Sequence, residues 1–210
     1  MAMRVNHTIG TLITADFLVN AGFSLFAPIF AVFVTKQIMN GSMEVVGFAA
    51  AITQIVKSVF QIPVARYLDR NHGEYDDFIS LMIGNVLVVL TPVAYLFAAT
   101  ATHVYLIQGM YGLALALVVP PWYAIFTRHI DKMQENIEWS FESVGIGISG
   151  AAAAALGGII ATNLGFRFVF LFGAILALVG VLVQALIFKD LRRKVSRGQV
   201  KPLPDRDANP

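Results

Sequence analysis

Two ionisable residues, Asp16 and Lys57, lie within long apolar stretches of the sequence. A charged side chain is costly inside hydrocarbon, so residues of this kind face a protein interior or a water-filled space and are candidates for function. Asn20 follows Asp16 after four residues, and Lys57 has Gln54 three residues before it and Gln61 four residues after it. These spacings place each polar set on one face of a helix. The pattern predicts two polar helix faces that turn inward.

The chemistry open to Asp16 and Lys57 is that of an ion pair within a membrane. At about 1.5 Å per residue, Lys57 lies about 15 Å and Asp16 about 10 Å from the same end of their helices, and a lysine side chain spans the difference. The pair could form the charged centre of a solute cavity or be purely structural, and the lysine could also stay deprotonated. We expect the neutral hydrogen bonds of the cavity to come from Asn20, Gln54, Asn85 and Gln108.

The composition around these residues is that of a membrane protein. Hydrophobic residues make up 57% and charged residues 13% of the 210 residues, against about 45 to 50% and about 25% in soluble domains. The 16 Phe residues and a net charge of +2 exclude a disordered chain. The absence of Cys excludes disulfide scaffolds and thiol enzymes. We expect no cofactor, metal ion or nucleic-acid partner, because the sequence has no phosphate loop, metal-ligand cluster or nucleic-acid module.

Six apolar runs are long enough to cross a bilayer, which takes about 20 residues in a helix. They cover residues 9–35, 45–67, 78–99, 104–127, 139–162 and 167–188, here called spans 1 to 6. Unbroken runs exclude a membrane β-barrel, whose strands alternate in hydrophobicity. The sequence therefore predicts an all-α membrane protein with six transmembrane helices over residues 9–188. Residues 1–8 form a short N-terminal segment, and residues 189–210 form a basic tail that we expect to be disordered.

The orientation follows from the positions of the basic residues. Twelve of the 15 Lys and Arg residues lie on the side of both termini, whereas only Lys36 and Arg167 lie on the opposite side. Basic residues are retained in the cytoplasm during membrane insertion. We expect a multi-pass protein of the cytoplasmic membrane with both termini in the cytoplasm.

Span 5 is rich in small residues, which allow membrane helices to approach closely. We expect this face to pack, together with span 2, against a second copy of the chain through Gly145, Gly147, Gly150, Ala154, Gly157 and Gly158. Residues 147–150 also match the G-x-S-G motif of rhomboid proteases. Those enzymes need a histidine after the serine as base, and no histidine follows Ser149. We therefore expect no enzymatic activity.

Four motifs, in order along the chain, resemble those of the major facilitator superfamily. Residues 65–73 resemble the signature G-x-L-A-D-R-x-G-R-K, with Ala65 for the first glycine and Gly73 one place late. Residues 108–112 are similar to R-x-x-Q-G-x-G, with Tyr105 in place of the arginine. Residues 153–158 are similar to the antiporter-type G-P-x-x-G-G, and residues 165–170 to G-W-R-W-x-F.

The resemblance implies one half bundle of a transporter, in which spans 1 and 4 line a central cavity, spans 2 and 5 meet the other half, and spans 3 and 6 lie outside. It also implies that Asp69, Arg70 and Gly73 form a conformational switch. Members normally carry two halves in one chain. We therefore expect a secondary transporter of a small solute, working by alternating access as a parallel homodimer. A proton is one candidate partner, and the coupling ion and the choice between uniport, symport and antiport stay open. The alternatives are a subunit of a heteromeric transporter and a structural or assembly protein that does not transport.

Overall fold

The computed structural model describes residues 6–71 and 74–191. Within these ranges the chain contains six helices that are long and apolar enough to cross a membrane, and no sheet. The predicted all-α fold with six transmembrane helices is confirmed. Gly73 of the predicted switch, most of residues 1–8 and residues 192–210 of the predicted tail lie outside the described residues.

Span 1 is the one span built from more than one helix among the described residues. It consists of α1 (His7–Ser24), a 3-10 turn (Ala27–Ile29) and α2 (Phe30–Gln37). The break coincides with Pro28, which has no backbone N–H to continue the helical hydrogen bonds. Spans 2 to 6 are the single helices α3 (Met43–Asn71), α4 (Glu74–Tyr95), α5 (Ala101–His129), α6 (Glu135–Asn163) and α7 (Phe166–Ala185).

The helices of spans 1, 2 and 4 extend two to four residues beyond both ends of the apolar runs that predicted them. Hydropathy marks only the part of a helix that lies in hydrocarbon, whereas helical hydrogen bonds continue into the polar headgroup region. Span 3 is an exception, because its helix ends at Tyr95, ahead of the predicted end at residue 99. Backbone turns complete that connection, and the Met39 N–H there donates to the Ala99 carbonyl at 2.9 Å.

The helices pack in two groups. Span 1 lies against spans 5 and 6, span 4 lies against spans 2 and 3, and contacts between spans 3 and 6 join the groups at the back of the bundle. Spans 1 and 4 contact each other only slightly. The arrangement therefore leaves a cleft between spans 1 and 4, as the family resemblance implied.

Glycines allow the backbones within each group to touch. A Cβ on Gly22 of span 1 would lie 2.5 Å from the Gly173 carbonyl oxygen of span 6, and a Cβ on Gly157 of span 5 would lie 1.8 Å from the Leu25 carbonyl oxygen. A Cβ on Gly112 of span 4 would lie 2.5 Å from the carbonyl oxygen of Thr53 in span 2. Such contacts hold membrane helices together by close van der Waals packing.

Two buried apolar clusters fill the bundle, one at each end of the cleft. The cluster at the end opposite the termini includes the aromatic side chains of Phe26, Phe33, Tyr95 and Phe170. Phe33 meets the ring of Phe170 edge-on, with centroids 4.8 Å apart. The cluster at the end of the termini includes Ile9, Leu81, Trp122, Ile125 and Phe126.

Exposure differs between the spans. Spans 2 and 5 are the least buried, and span 3 is the most buried, followed by span 6. The expectation that spans 3 and 6 lie outside holds only for one face of each, where Ile83 and Leu182 are exposed. Their other faces form the back of the bundle, because those two helices join the two groups. The exposed faces of spans 2 and 5 flank the open cleft.

Candidate functional site

A cavity of about 300 Å³ occupies the cleft between spans 1 and 4. Span 3 contributes to its inner wall through Thr91 and Tyr95. Among the described residues, its lining contains five aromatic side chains and no charged one. The lining residues are Asn20, Phe23, Ser24, Phe26, Ala27, Phe30, Thr91, Tyr95, Gln108 and Tyr111.

Aromatic rings give the cavity a fixed shape. Phe23 of span 1 stacks on Tyr111 of span 4, with centroids 4.6 Å apart and planes 15° apart. Phe30 meets Tyr95 edge-on at 5.4 Å. Such ring pairs contribute about 0.5 to 1.5 kcal/mol beyond their buried area. The Phe23 and Tyr111 pair bridges the two spans that otherwise scarcely touch.

Gln108 is a cavity residue whose amide is held at both ends. Its Nε2 donates to the Tyr95 hydroxyl at 2.9 Å, and its Oε1 accepts from the Thr53 hydroxyl of span 2. The prediction that Gln108 belongs to the cavity agrees with its position. Because both ends of the amide are occupied, Gln108 orients Tyr95 and ties spans 2, 3 and 4 together.

Asn20 joins the cavity to span 5. Its Nδ2 donates to the Ile146 carbonyl at 3.0 Å and to the Ser149 hydroxyl at 2.8 Å. Ser149 in turn donates to the Ile146 carbonyl at 3.0 Å. Ser149 thus serves as a helix-packing residue. The Asn20 Oδ1 forms no hydrogen bond with the described residues and is open to a ligand.

Asp16 lies one turn before Asn20, and its partner is not Lys57. Its carboxyl faces the Glu142 carboxyl of span 5 and the indole N–H of Trp122 in span 4. Within the described part of the chain, no basic side chain forms an ion pair with Asp16 or Glu142. The predicted Asp16 to Lys57 ion pair is therefore not formed. Span 2 packs on span 4 through its Thr53 face, and Lys57 lies on another, partly exposed face.

The acidic pair lies in a poorly hydrated position. Glu142 is only 5% exposed, and neither of its carboxylate oxygens has a hydrogen-bond partner among the described residues. Trp122 is 7% exposed, and its Nε1 has no hydrogen-bond partner either. Asp16 keeps partial exposure. The sequence shows Glu142 near the end of span 5, but helical spacing does not reveal which residue of another span it faces.

Asn85 and Gln54, both expected in the cavity, lie elsewhere. Asn85 is buried between spans 3 and 6, where its Nδ2 donates to the Gln184 Oε1. Gln54 is exposed on span 2 and does not line the cavity. The sequence contains a signal for the contact between Asn85 and Gln184, because each is the one amide side chain in its otherwise bland span.

The described part of the switch motif is exposed. Asp69 and Arg70 end span 2 on the surface. Close by, Asp77 is buried at the start of span 3 and pairs with Arg128 at the end of span 4. The spacing of polar residues does not predict this ion pair. It clamps spans 3 and 4 at the end of the bundle that carries the termini.

The small residues of span 5 do not form a single outward face. A Cβ on Gly150 would lie 3.5 Å from Asn20 and Ser24, and a Cβ on Gly145 would lie 3.6 Å from Ile13. Together with Gly157, these residues contact span 1 of the same chain. Only Gly147 and Gly158 have nothing within 4 Å of an added Cβ. Ala154 is half-buried. The predicted intermolecular face is therefore corrected, because half of it is used inside the bundle.

The described residues form six helices that could span a bilayer, arranged around a cleft with an uncharged lining. This arrangement defines a multi-pass integral membrane protein with an internal cavity. The family model described as Major Facilitator Superfamily matches residues 12–207, and the chain belongs to this family of secondary transporters. The comparison with individual curated proteins finds no match.

Proposed function

We propose that the chain forms half of an alternating-access transporter and that its cleft binds a small uncharged solute with an aromatic or apolar body. Family membership supports secondary transport in general. The observation that carries the substrate class is the lining of the cavity, which is aromatic and uncharged. A charged solute placed there would lose its hydration without gaining a counter-charge, which is costly inside a membrane.

The free polar groups limit the substrate further. Gln108 is committed to Tyr95 and Thr53, which leaves Asn20 Oδ1 and the Ser24 and Tyr111 hydroxyls to meet a ligand. The stacked Phe23 and Tyr111 rings offer a flat apolar surface beside them. A volume of about 300 Å³ lies at the lower end of small-molecule sites, which range from about 300 to 1,000 Å³. The cavity therefore suits a compact solute with one hydrogen-bonding end.

The substrate class is tested with three indoles that differ mainly in charge: indole-3-ethanol, indole-3-acetate and tryptamine. A ligand that binds only the folded state raises the melting temperature. We expect indole-3-ethanol to raise the melting temperature of the purified protein most. Stabilisation by indole-3-acetate or tryptamine, with none by the neutral compound, would refute an uncharged substrate.

A pair of tyrosine variants locates the binding. Tyr111→Ala removes half of the stacked pair in the cavity and should abolish the ligand-induced shift. Tyr67→Ala is the control, because Tyr67 is exposed and does not line the cavity. Equal loss of the shift in both variants would place the ligand outside the cleft.

The other wall of the cleft is supplied by a second copy of the chain in the same orientation. Span 2 presents exposed Gln54 and partly exposed Lys57 and Gln61, and each unsatisfied polar group in lipid costs several kcal/mol. Two parallel copies related by an axis along the membrane normal cover these faces and keep both sets of basic residues on one side. A different six-helix partner in a heteromer would cover them equally, and a non-transporting structural role is the remaining alternative.

Single cysteines test the homodimer, because the sequence contains no Cys. Ala151 is exposed on span 5, whereas Ala153 is buried in the same helix. We expect Ala151→Cys to form an oxidised dimer in native membranes and Ala153→Cys to stay monomeric. If Ala151→Cys and Gln54→Cys both stay monomeric, and the protein is a monomer in lipid nanodiscs, the heteromer takes the place of the homodimer.

A further inference from the structure

We propose that Asp16 and Glu142 form a single proton-binding site whose occupancy controls the contact between spans 1 and 5. The role of this site in coupling rests on the proposed transport function. Proton binding itself is a property of the chain and can be measured without a substrate.

Burial and missing partners support a site at this position. Glu142 is 5% exposed with both carboxylate oxygens unpartnered within the described residues, and its carboxyl faces that of Asp16. Independently, the buried Trp122 of span 4 directs an indole N–H towards Asp16 without forming a hydrogen bond. Three helices thus bring polar groups to one point, and those of Trp122 and Glu142 have no hydrogen-bond partner among the described residues. Buried polar groups in native proteins nearly always have partners, and a proton shared between the two carboxyls would give each of them one.

The surrounding groups favour a proton over a metal ion. Trp122 contributes a hydrogen-bond donor, which does not ligate a cation, and the described residues contain no group of three acidic or histidine side chains that could hold a metal. Span 6 packs on span 1 through Gly180, which lies against the Ala15 carbonyl and brings no charge. On span 5 the next acid, Glu138, accepts a hydrogen bond from the Asp131 backbone N–H. Lys57 of span 2 pairs with neither carboxyl.

The chemistry of the step is simple. With both carboxyls ionised, two negative charges face each other in a medium of low dielectric constant without a basic partner, and they repel. One proton from water, added to a carboxylate oxygen, removes one charge and creates an O–H that donates to the other carboxylate. Two acids held this closely share one proton. Asp16 is partly exposed, which gives the proton a path from water in the cleft.

The site is linked to the cavity through one helical turn. Asn20, four residues after Asp16, lines the cavity and bonds to Ile146 and Ser149 of span 5. Ile146 in turn lies four residues after Glu142. Spans 1 and 5 are therefore joined by two adjacent polar contacts. Loss of the proton should separate the helices at the first contact and weaken the second, so that proton and solute affinity depend on each other.

The experiment uses Trp122 as an internal probe. The chain contains two Trp residues, and Trp139→Phe leaves Trp122 alone beside the acidic pair. We expect the emission of this variant, titrated with pH in detergent, to show one transition. The transition should be lost when either Glu142→Gln or Asp16→Asn is added. Glu138→Gln is the matched control, because it removes an acid one turn away on the same helix, and it should retain the transition.

Three results would overturn the proposal. The first is a transition that persists in folded Glu142→Gln or Asp16→Asn protein, with folding judged by circular dichroism and gel filtration. The second is a midpoint that moves when potassium is replaced by sodium, which would assign the site to a metal cation. The third applies if the variants do not fold. A hydrophobic carbodiimide modifies protonated buried carboxyls and should then label Asp16 or Glu142 in the protein of unchanged sequence. Labelling of neither residue would refute proton binding.

The same measurements separate this site from the proposed transport function. A chain that titrates as expected but moves no solute retains the proton site and loses the transporter assignment. A chain that transports solute but does not show this titration retains the transporter assignment and loses the proton site.

Discussion

Several polar side chains of this bundle are matched across helices. Asn85 bonds to Gln184, Asp77 pairs with Arg128, and Asn20 bonds to Ser149. A polar atom left unpaired in the interior costs about 1 to 3 kcal/mol, so each pair constrains which helices become neighbours. The Asp16 and Glu142 pair differs, because both partners are acids.

Replacement of Asn85 tests whether this residue is structural. Asn85→Leu should destabilise the protein by about 1 kcal/mol, because Gln184 loses its partner in an apolar interior. The double variant Asn85→Leu, Gln184→Met should recover most of that loss, since both polar groups are then absent. Unfolding in mixed detergent micelles measures both changes. Loss of ligand-induced stabilisation in the double variant would show that Asn85 contributes to ligand binding, as the sequence predicted.

Asp69 should act on conformation and not on binding. The residue is exposed at the end of span 2 and lies far along the chain from the cavity lining. A carboxylate at this position can meet the positive N-terminal end of a helix in a second copy, around residues 139–141. We expect Asp69→Asn to alter maleimide labelling of a single cysteine at Ser24 while ligand affinity stays nearly unchanged. A large fall in affinity with unchanged labelling would contradict this role.

At the scale of helices, close contact between spans 1 and 5 depends on small residues that face inward. The inward-facing glycines of span 5 alternate with exposed residues such as Val144 and Ile148. One face of the helix therefore serves the fold of this chain, and the opposite face is available to a partner. A substitution on the inward face of span 5 therefore tests the packing of this chain, and a substitution on the outward face tests contact with a partner.

Adjacent glycines of span 5 provide a matched test of this division. A Cβ on Gly157 would lie 1.8 Å from the Leu25 carbonyl oxygen, whereas a Cβ on Gly158 would meet nothing within 4 Å. Gly157→Ala should destabilise the protein by about 1 to 3 kcal/mol through overpacking. Gly158→Ala should be neutral or stabilising by up to about 1 kcal/mol, because alanine favours the helix. Equal melting temperatures for the two variants would show that spans 1 and 5 are not packed this closely.

At the scale of the whole molecule, the two groups of helices contact each other at the back of the bundle and are separated by the cleft at the front. Spans 3 and 6 hold the groups together, and the slight contact between spans 1 and 4 leaves the aromatic cavity between them. Movement of one group against the other would change access to the cavity without unfolding a helix. Such rigid-body movement is the usual basis of alternating access.

The orientation of the whole molecule is tested by fusions at its two ends. Reporter proteins placed before Asn6 and after Leu191 should both be active in the cytoplasm, because twelve of the 15 basic residues lie on that side. A reporter moved to the connection between spans 1 and 2, at Asn40, should give the opposite signal. Different signals from the two ends would mean that an odd number of helices crosses the membrane.

The class of fold and the order of the spans could be predicted from the sequence, because bilayer thickness turns a run of about 20 apolar residues into a helix whatever its neighbours are. Polar residues within apolar spans 1 and 4, together with the family arrangement, predicted a place in the cavity for Asn20 and Gln108, and both residues line it. These inferences depend on one helix at a time, or on the family arrangement.

Only the tertiary structure decided which side chains meet. Spacing assigns a residue to a face of its own helix, but rotation and offset of the neighbouring helix determine what that face contacts. Asp16 therefore meets Glu142 instead of Lys57, Asn85 meets Gln184 behind the cleft, and Gly150 packs on Asn20 within the chain. Each outcome follows from close contacts between helix backbones. These contacts depend on the shapes of both helices, and the residue spacing within one helix does not reveal them.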